Sequence, residues 1–304
     1  MRMGIFSGQS LDGSSGVDGI VDAARTANDQ GFATYWMPQV FGFDALTVLA
    51  VVGREVPTIE LGTAVVPTYP RHPMMLAGQA LTVQSVSAGR LALGIGLSHQ
   101  IVIESMFGYS FAKPVRHMKE YLSILRPLLH GESVSFQGES LSANGGLGVP
   151  GGSPAPQILV AALGTQMLQL TARLAEGTIT WMTGPATLTE HIVPTITSAA
   201  KEADTGAPRV VCGLPVCVTD DVEGARSRAA KVFSIYGQLP SYRAMLDREG
   251  VDGPADVALV GGEKEVLAGI ERIRDAGATD FCAAEFGITD DERTRTREVL
   301  QSLL

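Results

Sequence analysis

Gly94-Ile-Gly-Leu-Ser-His99 ends an apolar run with two glycines, a hydroxyl and an imidazole. Glycine at a strand end lets backbone N–H groups come close to a ligand, although a Gly-x-Gly on its own is a weak sign of nucleotide binding. Ser98 and His99 add groups that hydrogen-bond a ligand or move a proton. His99, expected at a strand tip, is the candidate catalytic residue, set against the plainer reading of a histidine that only binds or caps. A second stretch, Ala162-Leu-Gly-Thr-Gln166, leads into an amphipathic run (Met167, Leu168, Leu170, Thr171, Leu174). The first N–H groups of a helix lack intrahelical partners and carry the positive end of its dipole, so Gly164, Thr165 and Gln166 form a candidate anion site. Ordinary capping by Thr165 is the competing reading. Trp36, Phe41, Phe43, Trp181 and Met182 lie near other expected strand ends and would wall an apolar pocket, unless they belong to the core. Glu285, just past the last expected strand, is a candidate proton donor or a plain loop carboxylate.

Elements that would hold these residues alternate along the chain. Short apolar runs predict strands at Arg2–Phe6, Thr34–Met37, Glu60–Ala64, Leu91–Ile95, Ile158–Ala161, Gly177–Trp181, Val210–Val218 and Asp280–Ala284. Amphipathic runs predict helices starting near Val17, Ala45, Met74, Lys113, Thr165, Thr187, Asp221, Glu263 and Asp290. Eight strand–helix units favour an α/β fold of the (β/α)8 TIM-barrel type over an open sheet, one barrel domain over residues 1–304, with ligands at the C-terminal strand tips. Two segments break the rhythm. Residues 131–156 read as a small hairpin within 134–141 followed by a Gly/Pro-rich loop, expected at the end of the barrel away from the site. Residues 236–254, with a short helix around 241–248, read as either a lid or a partner surface.

Composition narrows the function further. The chain has 304 residues, 45% of them apolar and 18% charged, ample for a large core. A net charge of −9 argues against nucleic acid or an anionic membrane as the main partner; a small-molecule substrate is expected instead. No apolar run reaches membrane-spanning length and no signal peptide is apparent, so a cytoplasmic protein is expected. The three cysteines, Cys212, Cys217 and Cys282, sit in apolar strand-like runs and are expected to be buried free thiols. Cys212 and Cys217 lie too far apart along one strand to pair, and no Cys/His cluster has metal spacing.

Leu61-Gly-Thr-Ala-Val-Val-Pro-Thr-Tyr-Pro-Arg-His-Pro73 and Gly89-Arg-Leu-Ala-Leu-Gly-Ile-Gly-Leu-Ser-His99 resemble the third and fourth strands of the bacterial luciferase-like superfamily, in its branch that uses the deazaflavin coenzyme F420. Residues 162–185 resemble its fifth helix and sixth strand, and the resemblance runs over most of the chain. It implies a luciferase-like barrel with insertion segments and an oxidoreductase that moves a hydride between deazaflavin C5 and a small organic substrate. It also implies a homodimer through helices near the second and third strands.

Residue by residue, the resemblance implies a non-proline cis peptide at Ala64–Val65, a bulge behind the central ring of the cofactor. It implies that Gly96, Leu97, Ser98 and His99 run along the ribityl and phosphate portion, and that Ala162, Leu163, Gly164, Thr165 and Gln166 take the phosphate. Arg71, His72, Lys113 and Arg116 are candidates for the acidic tail. Pro38 and Gln39 stand at the cofactor where many relatives carry an Asp-His pair. That departure removes the usual base for alcohol oxidation and favours reduction of the substrate. FMN in a monooxygenase, or a (deaza)flavin-binding protein without turnover, are the alternatives.

Overall fold

Eight parallel strands close into a barrel in the computed structural model, which describes residues 1–7 and 16–304. They are β1 Arg2–Phe6, β2 Thr34–Met37, β3 Glu60–Thr63, β4 Leu91–Gly96, β5 Gln157–Val160, β6 Gly177–Trp181, β7 Arg209–Val218 and β8 Asp280–Glu285. Neighbours pair in chain order, and β8 returns to β1 with Arg2 opposite Asp280. Helices α1 Val17–Asp29, α2 Ala45–Glu55, α3 Pro73–Val86, α4 Pro114–Leu129, α5 Thr165–Leu174, α6 Val193–Ala203 and α7 Val222–Val232 follow their strands; α8 Pro240–Glu249, α9 Glu263–Asp275 and α10 Asp290–Gln301 complete the wall. The expected strands β1, β2 and β6 match to the residue, and the other five differ by one residue at one or both ends. β7 shows why: all its residues are buried, as in a parallel strand covered on both faces, so no exposure pattern marks where it starts. Its last three residues, Val216–Val218, pair with a short extra strand, Leu259–Gly261.

The interior is filled in layers. At the N-terminal end Arg209, only 9% exposed, forks onto Asp280 (2.6 and 3.1 Å) and Glu60 (2.7 and 3.1 Å) and reaches Gln157. Thr34 Oγ1 donates to Glu60 at 2.7 Å, and Arg2 pairs with Glu60 from outside. Burial alone would raise the Glu60 pKa; the bonds and charges from Arg209, Arg2 and Thr34 outweigh it and hold the carboxyl below its usual range. Trp36 lies across the barrel above this plug, with the Arg209 guanidinium 5.5 Å from its ring centre. Its ring occupies the space a side chain at Gly4 or Gly62 would need.

Both irregular segments carry structure. Val134–Gln137 pairs antiparallel with Ser142–Gly145, so the second hairpin strand lies later than the 134–141 reading placed it. Nor does the hairpin stay at the N-terminal end of the barrel. The buried Glu120 carboxylate in the first half of α4 accepts the N–H groups of Glu139, Ser140 and Leu141 at 2.9–3.0 Å, which pulls the turn up toward the strand tips. The chain then descends along α3, where Ser85 Oγ donates to Pro150 O and Gln84 Nε2 to Pro154 O. The 236–254 segment, through α8, is tied to the loop after β6. The Glu249 carboxylate accepts from Ala186 N and Thr187 N at 3.1 and 2.8 Å, and Thr187 Oγ1 donates to Met245 O.

All three cysteines are free and buried, and burial pushes the Cys212 thiol up to about 12 and Cys217 to about 11. Among the described residues no helix is long and apolar enough to cross a membrane, and no group of side chains has the makings of a metal site.

Candidate active site

The floor of the C-terminal mouth is built from small residues around a bulge. After β3 the Ala64–Val65 peptide is cis, as the resemblance implied. The bulge is stitched to both neighbouring strands. Ala64 N donates to Met37 O at 2.8 Å, Thr63 Oγ1 to Gly94 O at 2.7 Å, and Thr68 N to Gly96 O at 2.9 Å. Gly94 and Gly96 are glycines because this bulge leans on them. A Cβ at Gly96 would sit 2.7 Å from Val65 Cγ2 and 3.2 Å from Ala161 Cβ, and one at Gly94 would collide with the Thr63 carbonyl. The strand-end glycines thus have a packing reason of their own, beside any ligand. Ala64, Val65 and Ala161 keep some exposure above the Trp36 layer and form a flat, small-residue platform.

Ser98 turns the chain at the tip of β4 with φ 60, in the left-handed region. His99 starts the short helix Gln100–Ser105, and its side chain caps nothing. Burial lowers its pKa, so the imidazole is neutral near pH 7 and offers one N–H and one lone pair. At the tip of β5, Gly164 is the N-cap of α5 with no side-chain cap, and Thr165 is already the first helical residue, so the Thr165-capping reading does not hold. Gly164, Thr165 and Gln166 are exposed, and a Cβ at Gly164 would meet nothing within 4 Å. Leu163 O accepts from His191 Nε2 at 2.7 Å, which fixes the approach to the helix, while Ala162 is buried beside Thr178.

Two expected pocket walls are core instead. Trp36 is fully buried beneath the floor because Gly4 and Gly62 admit its ring into the barrel, and Met182 is fully buried in the layer between barrel and helices. Trp181 stays partly exposed at the tip of β6 and stacks on Phe6 (5.5 Å, 18°), while Phe41 and Phe43 are exposed on the loop after β2. Pro38 is buried, and the Gln39 side-chain oxygen accepts from Ala45 N at 2.7 Å, supporting the start of α2. Glu285 is held by Arg297 (Nε to Oε1 2.8 Å) beside α10, away from the mouth. The candidate tail cations all have partners: Arg71 pairs with Asp44, Lys113 and Arg116 with Glu139, and His72 caps α3 and meets Ser142 O.

Residues that sequence reasoning missed come from the segment after α7. Phe233, Tyr236 and Tyr242 lie beside Trp181, Phe286 and His99. Only an irregular, aromatic-bearing stretch hinted at them. Below the same rim, Tyr69 is stacked between Phe111 and His117, whose Nε2 lies 3.0 Å from Thr68 Oγ1. Around the mouth, Ser7 Oγ, Tyr69 Oη and Trp181 Nε1 are buried without hydrogen-bond partners among the described residues. A cleft of about 560 Å³ on the outer wall is lined by Arg226, Lys264 and Arg272 and equally by Glu249, Asp256 and Glu265, and holds none of these orphaned atoms. The strand tips, with open N–H groups and unsatisfied polar atoms, are the better site.

A family model described as luciferase-like monooxygenase matches residues 1–280. The chain belongs to that family. Among its relatives is the 5,10-methylenetetrahydromethanopterin reductase of Methanolobus tindarius, 27% identical over 289 residues, 92% of this chain and 86% of the relative. The enzyme of the same name from Archaeoglobus fulgidus is 32% identical over 242 residues, 76% and 69% of the two chains. Among solved structures, the coenzyme F420 dependent tetrahydromethanopterin reductase of Methanopyrus kandleri superposes with a TM-score of 0.81 at 20% identity, over 99% of this chain and 97% of that one. That likeness speaks for the luciferase-like fold.

Proposed function

We propose that this luciferase-like chain is an F420-dependent oxidoreductase that reduces a small organic substrate. The uncapped N-terminus of α5, opening beside the Ala64–Val65 platform, carries the reading. Its free N–H groups suit a phosphate, and the small-residue platform suits a flat ring system laid against it. Relatives that by name are reductases or a coenzyme F420-dependent oxidoreductase support F420 over FMN.

When bound, the deazaflavin supplies the hydride chemistry. The chain's own residues do the rest. Gly164, Thr165 and Gln166 hold the phosphate by backbone N–H groups. Gly96, Leu97 and Ser98 line the chain that leads to it, and Ala64 and Val65 back the ring. His99, neutral and without a cap to make, donates its N–H in a hydrogen bond to the substrate. Trp181 and the aromatic rim exclude water. Pro38 and Gln39 offer no carboxylate–imidazole pair to take a proton from an alcohol, which favours the reductive direction.

A homodimer through the outer faces of α2 and α3 completes the proposal. Val51 and Met75 are exposed there, 42% and 65%, and nothing lies within 4 Å of a Cβ at Gly78, so two helices have room to approach. Met75→Glu is expected to shift the protein toward monomer in sedimentation.

The test of the cofactor reading is titration of the purified protein with F420 and, separately, FMN, followed by quenching of tryptophan fluorescence. Tight F420 binding with weak FMN binding is expected. A preference for FMN would move the reading to a flavin monooxygenase.

A further inference from the structure

Five rings form a line across the mouth. Phe6 at the tip of β1 stacks on Trp181 at the tip of β6 (5.5 Å). Trp181 meets Tyr236 edge-on (6.0 Å), Tyr236 meets Tyr242 (5.1 Å), and Tyr242 reaches His99 at the tip of β4 (5.7 Å). Its middle members come from the segment that Glu249 fastens to the loop after β6, so the line is anchored at both ends. Aromatic walls of this kind favour flat, conjugated partners over bulky saturated ones.

The polar groups on this line are all neutral. Burial raises the pKa of Tyr242 and Tyr236, the latter offset in part by the Trp181 indole N–H that faces it without closing a good hydrogen bond. Both phenols therefore keep their protons, and His99 loses its own. Among the described residues neither phenol donates a hydrogen bond, and Arg71, on the loop after β3, is occupied by Asp44. A neutral acceptor atom fits such a site; a carboxylate or phosphate on the substrate would find no free cation on this line of rings among the described residues.

We propose that the mouth takes a flat, uncharged, conjugated carbonyl compound, its π system against Trp181 and its oxygen on the Tyr242 hydroxyl beside His99. Tyr242 is thus a specificity-determining residue. The substrate class rests on the oxidoreductase reading above, and it is tested by binding rather than by turnover.

The probes are benzalacetone, its saturated counterpart 4-phenylbutan-2-one, and the anion cinnamate, titrated calorimetrically into the full chain with and without F420. Benzalacetone is expected to bind at least about tenfold more tightly than either comparison compound. Tyr242→Phe, which keeps the ring, is expected to weaken it about tenfold, the worth of one buried hydrogen bond. Equal binding of benzalacetone and cinnamate by the natural chain, a measurement that needs no variant, would overturn the proposal. So would unchanged benzalacetone affinity in Tyr242→Phe, or no benzalacetone binding where F420 binds. Failure of F420 itself to bind would overturn the cofactor reading, while the benzalacetone-to-cinnamate ratio still decides the slot.

Discussion

The two ends of the barrel treat polar groups in opposite ways. At the N-terminal end Arg209, Glu60, Asp280, Thr34 and Gln157 satisfy one another inside the wall. At the C-terminal end a helix start is uncapped and Ser7 Oγ, Tyr69 Oη and Trp181 Nε1 are buried without partners among the described residues. Charge brought into the first end is spent on closing the fold. Polar capacity left open at the second is available to a ligand. Trp36 separates the two, so each end can be disturbed with limited effect on the other.

The largest expected effect breaks the closed end. Arg209→Met leaves Glu60 and Asp280 facing each other with only the half-exposed Arg2 between them. A loss of about 3–5 kcal/mol in denaturant unfolding is expected, as for other buried pairs cut on one side, with F420 affinity changed little in the protein that remains folded. A loss under about 1 kcal/mol would mean the network is a surface-like one.

Next comes the floor. Gly94→Ala puts a methyl onto the Thr63 carbonyl and must push the bulge off β4. It should cost about 1–3 kcal/mol, the range for overpacking, and should weaken F420 binding too, because the platform moves. Stability loss without any change in affinity would detach the bulge from the cofactor.

Acid sharpens the contrast. Burial lowers the His117 pKa to about 4, against 6.5 unfolded. That group's contribution is complete above pH 6.5 and is lost as pH falls from 6.5 toward 4. Glu60 is depressed below its ordinary 4.5, so its contribution is present above that value and is lost only at lower pH. The rim around Tyr69 should therefore loosen at milder acidity than the plug. Thermal unfolding of His117→Gln is expected to lose the part of the decline between pH 6.5 and 4 that the natural chain shows. Identical pH profiles would remove His117 from this account.

Much of this was legible in the residues. Alternating apolar runs and amphipathic helices announced the barrel, while the bulge after β3 came only from the family resemblance of the Leu61–Pro73 and Gly89–His99 stretches, Ala64–Val65 by itself reading as core. What was not legible depended on side chains far apart in sequence. An apolar strand residue near the mouth reads the same whether it points in or out, so Trp36 and Met182 were indistinguishable from Trp181. Arg71, Lys113, Arg116 and Glu285 looked available until the fold brought Asp44, Glu139 and Arg297 to them. The hairpin's rise toward the mouth hangs on Glu120, a helix carboxylate that nothing local distinguishes from a solvated one.

The central claim is that the open helix start at Gly164 is the cofactor's phosphate site. Gly164→Asp tests it most directly. The N-cap has ordinary extended backbone and free space for the side chain, so aspartate fits and caps α5. It also places a negative charge where the phosphate would sit. F420 titration alongside thermal unfolding should show affinity reduced at least about a hundredfold, roughly the cost of bringing like charges into contact, with the melting temperature unchanged or raised. Undiminished F420 affinity in a folded variant would contradict the claim.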